Sequence, residues 1–339
     1  MIKNHWKKIV LIALALALTG GGVFAYSLYN QADAAVGKIT TGSSAVELLK
    51  SEPLNGEDTG RVNILIAGNS ADDAGHGGAE LTDSIMVASL DVTTKKLTLI
   101  SIPRDMWVSA NGSYMKLNAV YTTGGMDLLQ STVEDMTGLT IHHRVLINYT
   151  AFKQMIDAVG GIDITIDSSD PRGIYDPMIG FSIGNGKQHL DGATALKLVR
   201  SRNDPTYDGR VAYGLPGGDF DRAEYQRKVV QALLAKVTTV STLTNPSKLA
   251  TLLESLSGNV TSNFSAGQLR RLYDLSKTLA GTESISIRGT DENLLIANYT
   301  SYDGQSALVP QEGTDTYMAI RAYIAATLAA QSASKATTK

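Results

Sequence analysis

Residues 62–67 read VNILIA, an apolar run broken by one asparagine, and this run constrains the chain more than any other stretch. A half-exposed strand alternates apolar and polar residues. A continuous run like this one is covered on both faces, so it calls for helices above the sheet and below it. Two further strands are expected at 85–90 and 97–102, joined by the turn-rich stretch 91–96. If the three run up, down and up as neighbours, Gly68 ends the first, Asp83 precedes the second and Arg104 follows the third on one shared rim. The seventeen-residue stretch 68–84, with four glycines, caps that rim. Loops of that length without structure of their own are usually functional or disordered.

Helical patterns follow at 116–121 and 126–136, broken by Gly124 and Gly125. A strand is expected at 144–148, a helix at 151–159 capped by Thr150 and stopped by Gly160 and Gly161, and a strand at 162–166. This alternation predicts a three-layer α-β-α sandwich with a central mixed sheet and a ligand site at a rim where strands end. Beyond a helix at 221–238, further helices are expected at 246–255 and 266–280. A strand at 284–288, a last helix at 317–330 and a disordered polar tail at 331–339 complete the reading. The core is expected at 61–238, with 239–330 as a C-terminal extension of helices and strand.

Residues 1–8 form a basic tail with Lys3, His5, Lys7 and Lys8, followed at 9–29 by about twenty residues without a charge. That length crosses a bilayer as a helix. The basic flank predicts a single-pass anchor with its N-terminus cytoplasmic and the remainder extracytoplasmic. Ala32-Asp33-Ala34 resembles a signal cleavage site, but the apolar run exceeds the ~7–15 residues of a signal core, so the anchor is expected to stay. Residues 30–60, rich in Ala, Gly, Ser and Thr, read as a linker short enough to hold the next domain beside the membrane. There is no cysteine, which excludes disulfides, thiolate metal sites and cysteine nucleophiles together. The net charge of -3 gives no support to a nucleic-acid partner. Neither a basic helix-turn-helix pattern nor a phosphate-binding G-x-x-x-x-G-K-[ST] motif occurs.

The basic residues matter by placement. Asp191 caps a short helix at 192–199, and Arg200 and Arg202 follow it two apart, a spacing that aims both guanidinium groups into one space if the chain is extended. After a long loop through Gly214–Gly218, Asp219 to Asp221 begin a helix on which Arg222, Gln226, Val229 and Leu233 fall on one stripe. One such arginine is an ordinary helix-end charge. Three of them beside a glutamine that interrupts an apolar stripe read as a phosphate or diphosphate site, because the arginine fork matches phosphate oxygens two at a time. Asp83 in LTDSIMVASL and Arg104 in SIPRD join them by the rim argument, while Lys116 and Asn118 in MKLNAVY lie nearby in sequence.

These blocks, NILIAG, TDSIMVASLD, LISIPRD, KLNAVY, VLINYTAFKQMIDAVGGIDI, LDGATALKLVRSR and GDFDRAEYQRKVV, resemble the LytR-CpsA-Psr family of bacterial envelope proteins from about Arg61 to Leu234. The resemblance implies a magnesium-assisted transferase that moves a phosphate-linked glycopolymer, of teichoic acid or capsule type, from a polyprenyl diphosphate carrier to peptidoglycan. It also implies an apolar tunnel for the polyprenyl tail. Carried over, Arg104, Lys116, Arg200, Arg202 and Arg222 bind diphosphate, and Asp83 holds Mg2+. Asp83, Arg104, Asp219 and Gln226 then form the catalytic group. Where the family usually carries an aspartate after the first strand, this chain has Ser70, with Asp72 and Asp73 as candidate replacements. Two other functions fit the same residues: a non-catalytic scaffold that binds polyprenyl phosphate, and a polyprenyl diphosphate hydrolase.

Overall fold

In the computed structural model, which describes residues 33–40, 44, 47, 50–73, 80–203, 209–237, 256–289 and 294–333, the VNILIA run lies inside a six-stranded sheet. After a single 3-10 turn at Glu57–Thr59 come β1 (Arg61–Gly68), β2 (Ser84–Asp91), β3 (Lys96–Ser101), β4 (Trp107–Ala110) and β5 (Ser113–Lys116), then α1 (Leu117–Thr137), β6 (His143–Ile147) and α2 (Tyr149–Ala158). Next come β7 (Ile162–Ile166), β8 (Ile174–Asp176), β9 (Phe181–Ile183), β10 (Gly186–Leu190), α3 (Gly192–Arg200) and α4 (Asp219–Val237). The chain closes with β11 (Val260–Ser262), α5 (Ala266–Ser276), β12 (Gly281–Ser286), β13 (Ile296–Thr300), β14 (Ser306–Pro310) and α6 (Met318–Ala333).

The sheet order is β11-β6-β1-β2-β3-β12. β1, β2 and β3 are antiparallel neighbours, in the register that the up-down-up reading requires. β6 joins β1 and β12 joins β3 in parallel, while β11 is antiparallel to β6, so the sheet is mixed. Alternate residues of each strand feed opposite layers. Leu65, Ala67, Ile85, Val87 and Ile100 pack with Leu129, Val133 and Met136 of α1 and with Ile320, Ile324 and Leu328 of α6. Ile64, Met86, Ala88, Leu97 and Leu99 face the other way, onto Phe264, Leu275 of α5, and Val230 and Leu234 of α4. The α/β fold with helices on both sides of a mixed sheet is therefore the observed one.

Several local expectations are corrected. Residues 117–137 form one helical span kinked at Gly124 and Gly125, because Gly125 has φ 66 and lets the chain turn without stopping. α2 is capped by Asn148, whose side chain accepts from the N–H of Ala151, and Thr150 lies inside the helix. The final helix runs on to Ala333, which takes residues 331–333 out of the disordered tail expected there. Gln331 is buried and bonds Thr98, and Ser332 Oγ donates to Asp91 Oδ2 at 2.7 Å. Residues 50–60, expected in the linker, are fastened to the core. Glu52 N–H donates to the Gly267 carbonyl, Asn55 N–H donates to His143 Nε2 at 3.1 Å, and Glu57 pairs with Arg271. The apolar segment at 9–29 and the helix expected at 246–255 lie outside the described residues. Among the described residues no helix is long and apolar enough to cross a membrane.

The helices that frame the site approach one another closely. A Cβ on Gly192 would sit 2.3 Å from the Lys153 carbonyl oxygen, so α3 crosses α2 at a distance open only to glycine. The Gly192 N–H donates to Asp157 Oδ1 at 2.7 Å and fixes that crossing. Arg200, the last residue of α3, is thereby aimed from the same layer as α4.

Candidate functional site: an arginine-ringed apolar cavity

Between the ends of β1 and β2 and the helices α2, α3 and α4 the layers do not close, and a cavity of about 660 Å³ remains. Its interior is apolar: Ile66 and Met86 from the sheet, Phe152 and Met155 from α2, Leu196 and Val199 from α3, and Val229 and Leu233 from α4. Its charged end is formed by Asp83, Arg104, Arg200, Arg202 and Arg222. The stripe read from Arg222 to Leu233 thus runs from charged end to apolar interior along one face of α4.

Two carboxylates hold the guanidinium groups together. Asp219 Oδ2 accepts from Arg104 Nε at 3.0 Å and from Arg222 Nη2 at 3.0 Å, and Asp219 Oδ1 lies 3.7 Å from Arg202 Nη1. Asp83 Oδ1 accepts from Arg104 Nη1 and, at 3.5 Å, from Asn118 Nδ2. Arg200 Nη1 lies 3.9 Å from Asp73 Oδ2, and its guanidinium stacks 4.7 Å above the Tyr149 ring. The four arginines thus meet Asp83, Asp219 and Asp73, and Asp105 lies 3.6 Å from Arg104 Nε. Burial opposes the Asp219 charge, but Arg222, Arg104 and Arg202 outweigh it and hold its pKa below the ordinary carboxylate value. Burial likewise works against the charge of Arg104, and Asp219, Asp83 and Asp105 reverse that effect and raise its pKa. Arg222 is the most deeply buried of the four, and burial lowers its pKa despite Asp219.

The surrounding groups keep these side chains in place. Asn118 is a crosslink: its N–H donates to the Arg104 carbonyl at 3.0 Å and its carbonyl accepts from Thr82 at 3.1 Å. Gln226 bridges α4 to two neighbours, accepting from Ser84 Oγ at 3.1 Å and donating to the Val199 carbonyl at 3.3 Å. Asp176 Oδ2 accepts from the Arg202 N–H at 2.9 Å.

Of the residues singled out in the sequence, Asp83, Arg104, Arg200, Arg202, Arg222 and Gln226 all line the cavity. Asp219 does not line it and reaches it through three arginines. Lys116 departs from expectation: its ammonium pairs with Asp105 Oδ1 at 2.9 Å and is not among the residues that line this cavity. The sequence reading missed Tyr149 and Asp176. Tyr149 sat inside the block VLINYTAF with no charge to mark it, and Asp176 lies in a two-stranded ribbon without periodic signal. Of the apolar residues in α1 and α2, Phe152 faces the cavity, whereas Ile156 and Leu129 are core.

The two aspartates offered in place of the family carboxylate are engaged elsewhere. Asp72 accepts from the N–H groups of Tyr149 at 3.1 Å and Thr150 at 2.7 Å and so caps α2, and Asp73 faces Arg200. Ser70 is buried, 1% exposed. No group of three or more acidic or histidine side chains is placed to hold a metal among the described residues. Asp83 suits a magnesium ion that keeps most of its waters, because its Oδ2 takes no hydrogen bond among the described residues and such ions need one or two carboxylates.

Fold and site together define a class: an α/β sandwich with an arginine-ringed apolar cavity at the rim of a mixed sheet. The chain belongs to the LytR_cpsA_psr family, whose model matches residues 23–314. A Bacillus mycoides protein named polyisoprenyl-teichoic acid--peptidoglycan teichoic acid transferase TagU is 29% identical over 295 residues, 83% of this chain and 86% of its own length. The probable cell wall biosynthesis protein LcpB of Corynebacterium glutamicum is 35% identical over 242 residues, 70% of this chain and 52% of its own. The solved structure of TagT bound to LIIa-WTA has the same fold, with a TM-score of 0.61 at 20% identity over 85% of this chain and 97% of that one.

Proposed function

We propose that this protein transfers a phosphate-linked cell-wall glycopolymer, of the teichoic acid or capsule type, from a polyprenyl diphosphate carrier to peptidoglycan at the outer face of the cell membrane. The observation that carries the reading is the meeting of Arg104, Arg200, Arg202 and Arg222 at one end of a long apolar cavity. A lipid diphosphate has both parts: an apolar chain for the interior and a polyanionic head for the arginines. The naming of TagU as a teichoic acid transferase supports the same class of reaction. The uncharged stretch at 9–29 supports a membrane anchor that keeps the cavity beside its lipid.

In the reaction, an acceptor hydroxyl oxygen attacks the phosphorus that carries the glycan, and the bond from that phosphorus to the bridging oxygen breaks. Polyprenyl monophosphate leaves with the electron pair, and the hydroxyl proton passes to a phosphate oxygen or to water. Arginines fixed in advance around the diphosphate lower the barrier by stabilising charge on the leaving oxygens. Asp219 acts as the organiser of three of them, since a carboxylate with a depressed pKa is a weak base. Gln226 and Ser84 orient the head. Magnesium held by Asp83 would neutralise phosphate charge.

The test uses the full chain in detergent with a polyprenyl diphosphate-linked glycan, magnesium and soluble peptidoglycan fragments. The expected product is the fragment carrying glycan through a retained phosphate, lost in Arg202→Ala. Release of free glycan phosphate with or without fragments would replace transfer by hydrolysis. Ser70, a hydroxyl where the family carries a carboxylate, favours a second reading as a lipid-binding scaffold. Tight lipid binding without any product at any magnesium concentration would establish it.

A further inference from the structure

A second, smaller cavity of about 170 Å³ adjoins the first. Asp83, Arg104, Arg222 and Gln226 border both, so they form the partition between them. The two cavities take different faces of α4. Val229 and Leu233 line the large one, and Phe220 and Ala223 line the small one. The remaining walls of the small cavity include Ser101 at the end of β3, Ser286 at the end of β12, Asn298 and Ser306 on the β13–β14 hairpin, and the carboxylates Asp105 and Asp219 beside the partition.

Away from the charged partition, these walls offer uncharged hydrogen-bonding groups, which suit a neutral polar ligand. The Asn298 amide and the Ser306 hydroxyl make no side-chain hydrogen bond among the described residues. Ser101 Oγ accepts from Arg227 Nη1 at 2.8 Å, which leaves its own proton to donate into the cavity. Arg227 is 8% exposed, enters no ion pair among the described residues, and its Nε has no hydrogen-bond partner, so the floor beneath Ser101 is electropositive. Phe220 adds one aromatic wall. Hydroxyl and amide groups beside an aromatic ring match a sugar, whose hydroxyls need partners and whose C–H face packs on the ring. The hairpin is fixed to the arginine partition, because the Leu308 N–H donates to the Asp105 carbonyl at 2.9 Å and Leu308 bridges Met106.

We propose that the small cavity binds the hydroxyl-bearing sugar of the acceptor, so that the β13–β14 hairpin supplies acceptor recognition. The inference rests on the transferase reading. Displacement at phosphorus places the attacking and leaving oxygens roughly in line on opposite sides. Two cavities divided by Arg104 and Arg222 provide those sides. The carrier phosphate departs toward the apolar cavity and the acceptor oxygen arrives from the polar one.

Ser306→Leu, which fills the cavity, and Asn298→Ala, which removes an amide, test this in the full chain. At saturating lipid donor, the KM for soluble peptidoglycan fragments should rise about tenfold in each, the loss expected from one or two hydrogen bonds to a neutral ligand. Donor affinity and kcat should remain those of the unaltered chain. An unchanged acceptor KM in both variants overturns the proposal while leaving the transferase reading intact. Should the unaltered chain transfer nothing, that reading falls, and NMR titration with the fragments alone decides the pocket separately. Binding that Ser306→Leu abolishes supports it, and equal binding by both proteins overturns it.

Discussion

The two faces of β1 and β2 are built from the same residue types and end in opposite ways. On one face Leu65, Ala67, Ile85 and Val87 meet α1 and α6 in a filled core. On the other, Ile66 and Met86 look into a cavity of about 660 Å³ walled by α2, α3 and α4. Apolar side chains are withdrawn from water in both places. The first is closed along its length, whereas the second is closed by Phe264, α4 and α5 away from the rim and opens into the cavity at it. The arginines stand at the open end, so the difference between the faces separates what stabilises the fold from what the fold is for.

Breaking the charged end should have the largest effect. Arg104→Ala removes the guanidinium that joins Asp83 to Asp219, and transfer should fall by about a hundred- to a thousandfold with the circular dichroism of the fold preserved. Retained turnover would detach the arginines from the reaction.

Truncations on the two faces should diverge. Leu129→Ala in the filled face is expected to cost about 2–5 kcal/mol in urea unfolding, because α1 cannot collapse onto the gap. Phe152→Ala, whose ring already borders open space, should cost at most about 1 kcal/mol yet weaken polyprenyl diphosphate binding about tenfold or more. Equal stability losses would mean that the cavity is packed in solution.

Acid should also distinguish the regions. His143 is fully buried, stacks on Phe264 at 4.1 Å, and accepts the Asn55 N–H at Nε2, so it is held neutral. Burial, and then neighbouring His142, push its pKa down to about 4 from the ordinary 6.5. The unfolded chain therefore binds this proton first. The stability it contributes is complete above pH 6.5 and is lost as pH falls from there towards about 4. Melting temperature should drop across that window, and His143→Gln should flatten the slope. Asp219, whose pKa the surrounding arginines hold below the ordinary carboxylate value, does not share this loss.

The smallest effect is expected at Asp72→Ala, which takes the acceptor from the Tyr149 and Thr150 N–H groups but leaves the Asn148 cap, and should cost about 1 kcal/mol by thermal denaturation. A much larger loss would show that this aspartate does more than cap.

Much of this was legible beforehand because it lies in local patterns. The strands around VNILIA, their up-down-up order and the placing of Asp83 and Arg104 on one rim follow from apolar runs too long to alternate and a short turn. The stripe through Arg222, Gln226, Val229 and Leu233 follows from a period near 3.6. The β4–β5 and β13–β14 hairpins escaped, since short ribbons carry few alternations. The true cap of α2, Asn148, was passed over for Thr150 because either residue can cap and only backbone geometry chooses. Lys116 joins the arginines only through the family resemblance, and its pairing with Asp105 depends on how β5 folds back on β4.

By itself the sequence determined which residues leave water and which charges stand near one another along the chain, because burial and periodicity are local properties of side chains. Whether an apolar surface meets protein or an empty space was decided by the crossing of α2, α3 and α4, which brings residues far apart in the chain to fixed separations. The same tertiary geometry set Asp219 at the centre of three guanidinium groups and turned the C-terminal hairpin into a wall of the second cavity.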